Sequence, residues 1–322
     1  MPANSLLTGS VIKLPVDVED KIYNFSPDDS PLVSAIGRGK IHNVFFEWQR
    51  DTYRAPNAAN AAIEGADASY SAQTQPGLLN NRTQIFQDTV SVSNTAQAVD
   101  KYGRKDEAKR LCAKKMVEIK RDIEAACISS GATVTGTSAV AGRLRGLYGF
   151  ITNDVFGATG ASPDPTTNTA PISGTDVALT ETMLKDGIQS AYVNGGSGSV
   201  VMCSPAHKVK ISTFTGNVQR TNEVGSKQAA VLNAAFDFYR SDFGVTKVVP
   251  NRVMATAAVG LNDTLYILDY DKLELAQLRG FEREQLATVG DAENWQVRTE
   301  VSLRVRDERP LYAIRDITVS GS

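Results

Sequence analysis

No glycine or proline interrupts the chain between Gly103 and Gly131. Taken as one helix over residues 99–131, Ala108, Leu111, Met116, Ile119, Ile123 and Ala126 recur every three to five residues, with Cys112, Val117 and Cys127 beside them. That spacing keeps one apolar stripe in register for several turns. The opposite face carries Lys105, Lys109, Arg110, Lys114, Lys115, Glu118, Lys120, Arg121 and Glu124, and Gly131 after Ser129-Ser130 supplies a C-terminal stop. At 1.5 Å per residue the rod would be about 40 Å long. A helix of that length needs a broad surface to lie across.

The C-terminal third offers such a surface. Gln296 to Arg306 alternates cleanly, with Val297, Val301, Leu303 and Val305 on one face and Gln296, Arg298, Glu300, Arg304 and Arg306 on the other. Asp307-Glu308-Arg309-Pro310 turns the chain, and Leu311 to Val319 returns as the second strand of a hairpin. Thr264 to Leu268 reads as a fully buried strand. Val245 to Val253 reads as a strand broken by Pro250, which predicts an edge position.

Earlier in the chain, Asn43 to Tyr53 and Gln84 to Ser93 are strand-like, the first with Val44, Phe46 and Trp48 on one parity and the second with Phe86, Val90 and Val92. Between them lies a stretch of small and polar residues, including 55–62, 64–67 and 73–77. Loops longer than ~15 residues are uncommon in compact domains and are usually functional or disordered. Two readings stand: a loose insertion, or a long two-stranded flap ordered by a partner chain. Residues 1–40 read as an arm that packs on another surface, and residues 157–175 as a surface loop. From Thr180, a cap, a helix runs to about Val193. The strand Ser199–Cys203 follows, and a helix opened by Ser204-Pro205 completes an α/β layer. A further short element is expected within residues 225–243.

Composition excludes more than it selects. The 322 residues carry 34 Lys and Arg against 36 Asp and Glu, a net charge of −2, too balanced for a protein that coats nucleic acid by charge alone. Three cysteines without paired spacing predict reduced, buried thiols and a cytosol-like site of synthesis. No apolar run approaches the ~18 residues of a membrane span. With two histidines in the sequence, metal sites and His-based catalysis have little to build on. Cys203 and His207 lie four apart but straddle a strand-to-helix turn, and no third group is in sight to orient a dyad. Gly131 to Ser138 lacks the lysine of a phosphate loop. No catalytic, cofactor or metal residue is assigned.

The run Val92-Ser93-Asn94-Thr95-Ala96-Gln97-Ala98-Val99-Asp100-Lys101-Tyr102-Gly103-Arg104-Lys105-Asp106-Glu107, with Lys120-Arg121-Asp122-Ile123-Glu124-Ala125-Ala126 after it, resembles the major capsid proteins of tailed bacteriophages. The branch it is most similar to includes some short-tailed and prolate phages. The resemblance implies an α+β Hong Kong 97-like capsid fold. Its parts would be an N-terminal arm (1–42), an extended β-hairpin loop (43–93), a peripheral domain with a long spine helix over a β-sheet (94–175 and 262–322) and an axial α/β domain (176–261).

The implied function is a structural one. The chain would self-assemble into hexamers and pentamers of an icosahedral or prolate head, made in the host cytoplasm and enclosing double-stranded DNA. Its partners would be itself, a separate scaffolding protein, a portal protein and a cement protein, with no membrane. Some capsids of this fold join subunits covalently through a lysine on the extended loop. No lysine occurs from Ile41 to Asp100, so contacts from this loop are expected to be non-covalent. The arm has no long charged helical segment ahead of it, which is why the scaffold is expected as a separate chain. Intersubunit contacts are expected from Trp48, Tyr53, Arg54 and Phe86 around the flap, Arg104 and Lys105 at the helix start, and Arg304 and Arg306 on the wet face of the last sheet. The alternatives are an encapsulin-like nanocompartment shell and a soluble oligomeric enzyme with a site near Cys203 and His207.

Overall fold

A computed structural model describes residues 29–318 apart from 66, 68, 69, 71, 74, 100–105, 215–237, 257, 258 and 289. The first half contains α1 (Pro31–Ala35), β1 (Gly37–Lys40), β2 (Phe45–Arg50), β3 (Gly77–Arg82), β4 (Gln84–Ser93), α2 (Asn94–Ala98), α3 (Glu107–Ile128) and β5 (Asp154–Val155). The second half contains α4 (Glu181–Val193), β6 (Val200–Cys203), α5 (Pro205–Ser212), β7 (Phe238–Ser241), β8 (Gly244–Pro250), β9 (Leu265–Leu268), β10 (Leu273–Gln285), β11 (Ala292–Val305) and β12 (Tyr312–Ile314).

The long helix is α3, and it is shorter than the periodicity predicts. Asp106 caps it, its carboxylate accepting from the Lys109 amide at 3.0 Å and from Gln97 Nε2 at 2.9 Å. Those bonds, the Lys109 amide first, hold the Asp106 carboxyl well below the usual range. Upstream, α2 ends at the extended residue Val99. Downstream, Ser129 is already extended, so Gly131 is not the stop. The 22 residues span about 33 Å.

Ala108, Cys112, Ile119, Ile123, Cys127 and Ile128 bury one stripe of α3 against a four-stranded sheet of order β1-β10-β11-β4. Val297, Val301, Leu303 and Val305 are buried on β11, as the alternation predicts, and Phe86, Val90 and Val92 of β4 join the same core. Three expectations need correction here. Gln84 to Ser93 does not pair with the first flap strand; its apolar parity is core, so β4 lines up antiparallel with β11 from Ser93↔Ala292 to Gln84↔Val301. The closing hairpin does not form: β12 pairs with β9 in the other sheet, and β11 lies between β10 and β4. Leu32, Val33 and Ile36 belong to this core and Ile41 is buried, so the last part of the expected arm is built into the subunit. The rest of the arm, with Val11, Leu14, Val16, Val18 and Ile22, lies outside the described residues.

Glu124 also departs from expectation. Placed on the polar face by periodicity, it is fully buried. Its two carboxylate oxygens receive the amides of Leu32 at 2.9 Å and Val33 at 2.8 Å, and Asn251 Nδ2 at 2.8 Å. The carboxylate caps α1 in place of Ser30, whose side chain makes no capping bond. Burial pushes the Glu124 carboxyl up from its ordinary value.

A second sheet, β5-β12-β9-β6-β8-β7, carries the other core of Leu184, Ile188, Ala191, Val201, Ile211, Ile267 and Ile314. Thr180 caps α4 through its Oγ1 at 3.3 Å from Met183 N. Gly187 lies inside α4, where glycine costs about 1 kcal/mol relative to alanine. A Cβ there would come within 2.6 Å of Ile267 Cδ1 and 2.9 Å of Tyr312 Cδ1, so the glycine admits the helix close to its sheet. β8 lies between β6 and β7 in strand order, but β7 pairs only with Gly244–Lys247; the stretch that ends at Pro250 has β6 on one side and no strand on the other among the described residues, the edge position that Pro250 predicts. Of the element expected within 225–243, β7 is the described part.

Residues 157–175 are more than a surface loop. Ala161↔Ile172 and Asp164↔Thr169 bridges fold them back on themselves. Buried Arg315 donates to the carbonyls of Ile172 at 2.6 Å and Ala161 at 2.5 Å. Asp316 Oδ2 receives the Gly157 and Gly174 amides at 3.1 and 2.9 Å. Tyr266, from the second sheet, donates its hydroxyl to Ile128 O at the end of α3 (2.9 Å), which ties the two layers together.

Candidate functional site

The flap is β2 paired antiparallel with β3, from Phe45↔Arg82 to Arg50↔Gly77, with residues 51–76 beyond it. Its base lies along β11 beyond Val301, where β4 stops pairing. Trp48 Nε1 donates to Val305 O at 2.8 Å, and its ring stacks on Phe46 (5.5 Å) and tilts against Phe150 (6.0 Å). Fully buried Asn81 uses both ends of its amide. Nδ2 donates to Leu303 O at 2.7 Å and Arg145 O at 3.1 Å, while Oδ1 accepts from the amides of Arg145 and Arg82, both at 2.8 Å. Ser302 Oγ donates to Arg82 O at 2.7 Å, and Thr83 Oγ1 to Glu300 Oε1 at 2.7 Å. Further along, Arg50 pairs with Glu308, and Arg309 Nη1 donates to Thr52 Oγ1 at 2.7 Å.

Beyond this clasp, the flap is held by its own turns: Asn57 Oδ1 accepts from Ala59 N at 2.9 Å, and Asp51 Oδ1 from Thr52 N at 2.7 Å. Its large side chains are bare. Tyr53 is 100% exposed, Tyr70 96% and Ile63 82%. A fully buried side chain of this size is worth roughly 1.5–3 kcal/mol relative to an exposed one, so the flap carries apolar surface that its own subunit does not cover. Leu78, Val44 and Phe45 extend that surface toward the base.

The structure divides the eight contact candidates. Tyr53 and Arg54 stand on the exposed flap. Trp48 faces its own subunit, and Phe86 is buried under α3; both follow from apolar parity facing the core. Arg304 is half-buried under the flap base, whereas Arg306 is exposed, as expected of a wet face. Both pair with Glu274 at 3.3 Å, and Arg304 also sits 5.5 Å over Phe46. Arg104 and Lys105 lie outside the described residues. Ile63 and Tyr70 were missed by sequence reasoning; the signal available was a lone large apolar residue in a small, polar stretch.

Cys203 is fully buried, and burial pushes its thiol up to about 12. His207 Nδ1 lies 3.1 Å from Ser204 Oγ, not on Cys203, and burial lowers its pKa. Among the described residues, no group of three or more His, Cys, Asp or Glu side chains is placed to hold a metal ion, and no helix is long and apolar enough to cross a membrane.

Comparison with known proteins places this architecture. The chain is 29% identical to the major capsid protein of Escherichia phage Phieco32, with 88% of each chain covered. Among solved structures it resembles the capsid of a native GTA particle, with a TM-score of 0.64 at 13% identity over 97% of each chain. It also resembles the capsid of cyanophage A-1(L), with a TM-score of 0.60 at 14% identity over 97% of this chain and 98% of that one. Those structures establish the fold, a mixed α+β phage-capsid fold of the Hong Kong 97 type. The model of the SU10 major capsid protein family matches residues 2–318, and the chain belongs to that family.

Proposed function

We propose that this structural protein of the virion's capsid shell builds hexamers and pentamers, each subunit laying its flap over a neighbour. The observation that carries the reading is the bare apolar surface of Tyr53, Ile63 and Tyr70 on a flap whose base is rigidly clasped. Exposed apolar surface that the subunit leaves uncovered marks an interaction site. Tyr53 and Arg54 are assigned to the neighbour contact. Trp48, Phe86 and Arg304 act inside the subunit, setting where the flap points, while exposed Arg306 stays assigned to the neighbour contact, and Arg104 and Lys105 to the contact at the start of the spine helix. In this reading β2, β3 and the residues between them are the extended loop, α3 and its sheet the peripheral part, and residues 176–261 the axial part, whose sheet also takes in β5, β9 and β12 from outside those bounds.

The shell is held by non-covalent contacts from the flap, since residues 41–100 contain no lysine. Its inner face meets packaged double-stranded DNA without sequence preference. A scaffolding protein, a portal protein and a cement protein complete the set of partners. A family of shell proteins and a buried Cys203 together weigh against an enzyme. Sizing with light scattering, followed by negative-stain electron microscopy of the purified full chain, tests the reading. Rings or closed shells are expected. A species that stays monomeric under crowding, with a protease-resistant flap, would sink it.

A further inference from the structure

Arg145 is fully buried, and its guanidinium is held by neutral acceptors. Nη1 donates to Pro165 O at 2.8 Å and Nη2 to Asn168 Oδ1 at 2.9 Å. Burial lowers the Arg145 pKa to about 10, as expected of a cation taken out of water without a paired carboxylate. Both acceptors sit at the tip of the folded-back segment 157–175. Asn168 has a left-handed backbone, with φ of 59°, which asparagine tolerates better than most side chains. Its Oδ1 also accepts from Thr133 N at 2.9 Å and Thr133 Oγ1 at 2.8 Å, and its Nδ2 donates to Thr133 O at 3.0 Å.

The same arginine reaches the flap in two ways. Its main chain is bound to Asn81 of β3 in both directions, through the Asn81 amide and carbonyl oxygen. Its guanidinium lies 5.0 Å over Phe150, the ring against which Trp48 of β2 tilts. One side chain thus touches the tip of 157–175 and supports both fixings of the flap root.

The other end of the segment belongs to the six-stranded layer. Arg315, just past β12, holds the Ala161 and Ile172 carbonyls, lies between the rings of Phe156 at 4.6 Å and Tyr148 at 5.0 Å, and pairs with Asp154 at 3.5 Å. Asp316 takes the Gly157 and Gly174 amides, and a Cβ on Gly157 would collide with Thr175 O. That end is charge-paired and tightly closed. The tip is held by neutral acceptors on an exposed turn, so it is the end that opens first. We propose that residues 157–175 are a brace that sets the flap's direction relative to the six-stranded layer, latched to Arg145 by Asn168, so that release of the tip loosens the flap root while both cores stay folded. The brace works within one subunit, so its failure and that of the shell reading are separate.

Limited proteolysis within residues 51–76 of the full chain, with hydrogen exchange read on the same samples, tests it. Asn168→Gly keeps the left-handed backbone accessible and deletes the side chain. Flap cleavage is expected to speed up roughly fivefold or more, the weight of one hydrogen bond, with exchange in α3 and β6 unchanged. Asn168→Asp keeps the oxygen that faces Arg145 and adds the missing counter-charge, so its flap should be cut at the native rate or more slowly, although it loses the bond to Thr133 O. Arg145→Met should speed cleavage as well, and Asn168→Gly on that background should add nothing, because the latch acts through the guanidinium. Native-rate cleavage in Asn168→Gly overturns the proposal, as does faster exchange spread equally over α3 and β6. Faster cleavage in Asn168→Asp, or a further rise when Asn168→Gly is added to Arg145→Met, also overturns it. If Arg145→Met does not fold, the two Asn168 variants decide alone.

Discussion

The indole N–H of Trp48 donates to the carbonyl oxygen of Val305 across 2.8 Å, joining residues far apart in sequence at the root of the flap. Val305 is the last residue of β11, the strand that runs beneath α3. The flap is thus fastened to the same rigid strand that supports the helix, and its direction is fixed by hydrogen bonds that need no neighbour.

Trp48→Phe keeps most of the stacking on Phe46 and Phe150 but deletes the donor. A net loss of about 1 kcal/mol is expected for one hydrogen bond, seen as a fall in thermal midpoint of about 2 °C. Proteolysis within residues 51–76 should accelerate by more than the global loss explains, because the flap root opens locally. Unchanged cleavage kinetics would remove the indole from the clasp.

Asn81→Asp tests the clasp more severely. It sets a carboxylate oxygen against the carbonyls of Leu303 and Arg145, where the amide donated. A loss of about 3 kcal/mol or more is expected at neutral pH, as for a buried charge without its partner. The folded state then favours the protonated acid, which can donate again, so the variant should regain stability as pH falls. Denaturant midpoints at neutral and acidic pH check both parts.

The sequence reads well where one side of an element meets water and the other meets core. Val297, Val301, Leu303 and Val305 could be placed by alternation alone, and α3 by its stripe. It reads poorly where a polar residue is buried by a long-range partner. Nothing near Glu124 announces that Leu32, Val33 and Asn251 will close on it, and periodicity alone puts it on the wet face. Partner choice among strands fails for a related reason. Gln84 to Ser93 and Asn43 to Tyr53 look equally able to pair, and the decision lies in Phe86, Val90 and Val92 having a helix to bury against. On the flap, Tyr53 was legible because it flanks a strand; Ile63 and Tyr70, alone among small residues, carry no periodic signal.

Glu124 predicts a pH dependence with a definite sign. Burial raises its carboxyl above the ordinary value, so the folded state binds the proton more tightly than the unfolded chain does. Its contribution to stability is fully present below the unfolded pKa and is lost as pH rises through the folded one. Relative to Glu124→Gln, the native protein should therefore be more stable at about pH 5 than at about pH 7.5. Glu124→Ala is expected to destabilise at both, by roughly 2–4 kcal/mol, since it orphans the Leu32 and Val33 amides and Asn251 Nδ2. Thermal denaturation of the three proteins side by side decides; a pH-independent difference between native and Gln variant would contradict the assignment.

Ile63 and Tyr70 separate assembly from folding. Both are almost fully exposed, with no core contact to lose, so Ile63→Ser with Tyr70→Ser should change subunit stability by no more than about 0.5 kcal/mol. If the flap buries these side chains on a neighbour, the double variant gives up a few kcal/mol at every subunit contact. A shell repeats that contact many times, so even a modest loss per contact suppresses closed particles. The expected result is an unaltered denaturation curve together with a shift from high-mass particles to capsomers or single subunits by light scattering. Normal shells from the double variant would mean that the outer flap is not the adhesive surface, and the contact would have to be sought nearer Leu78 and Phe45 at its base.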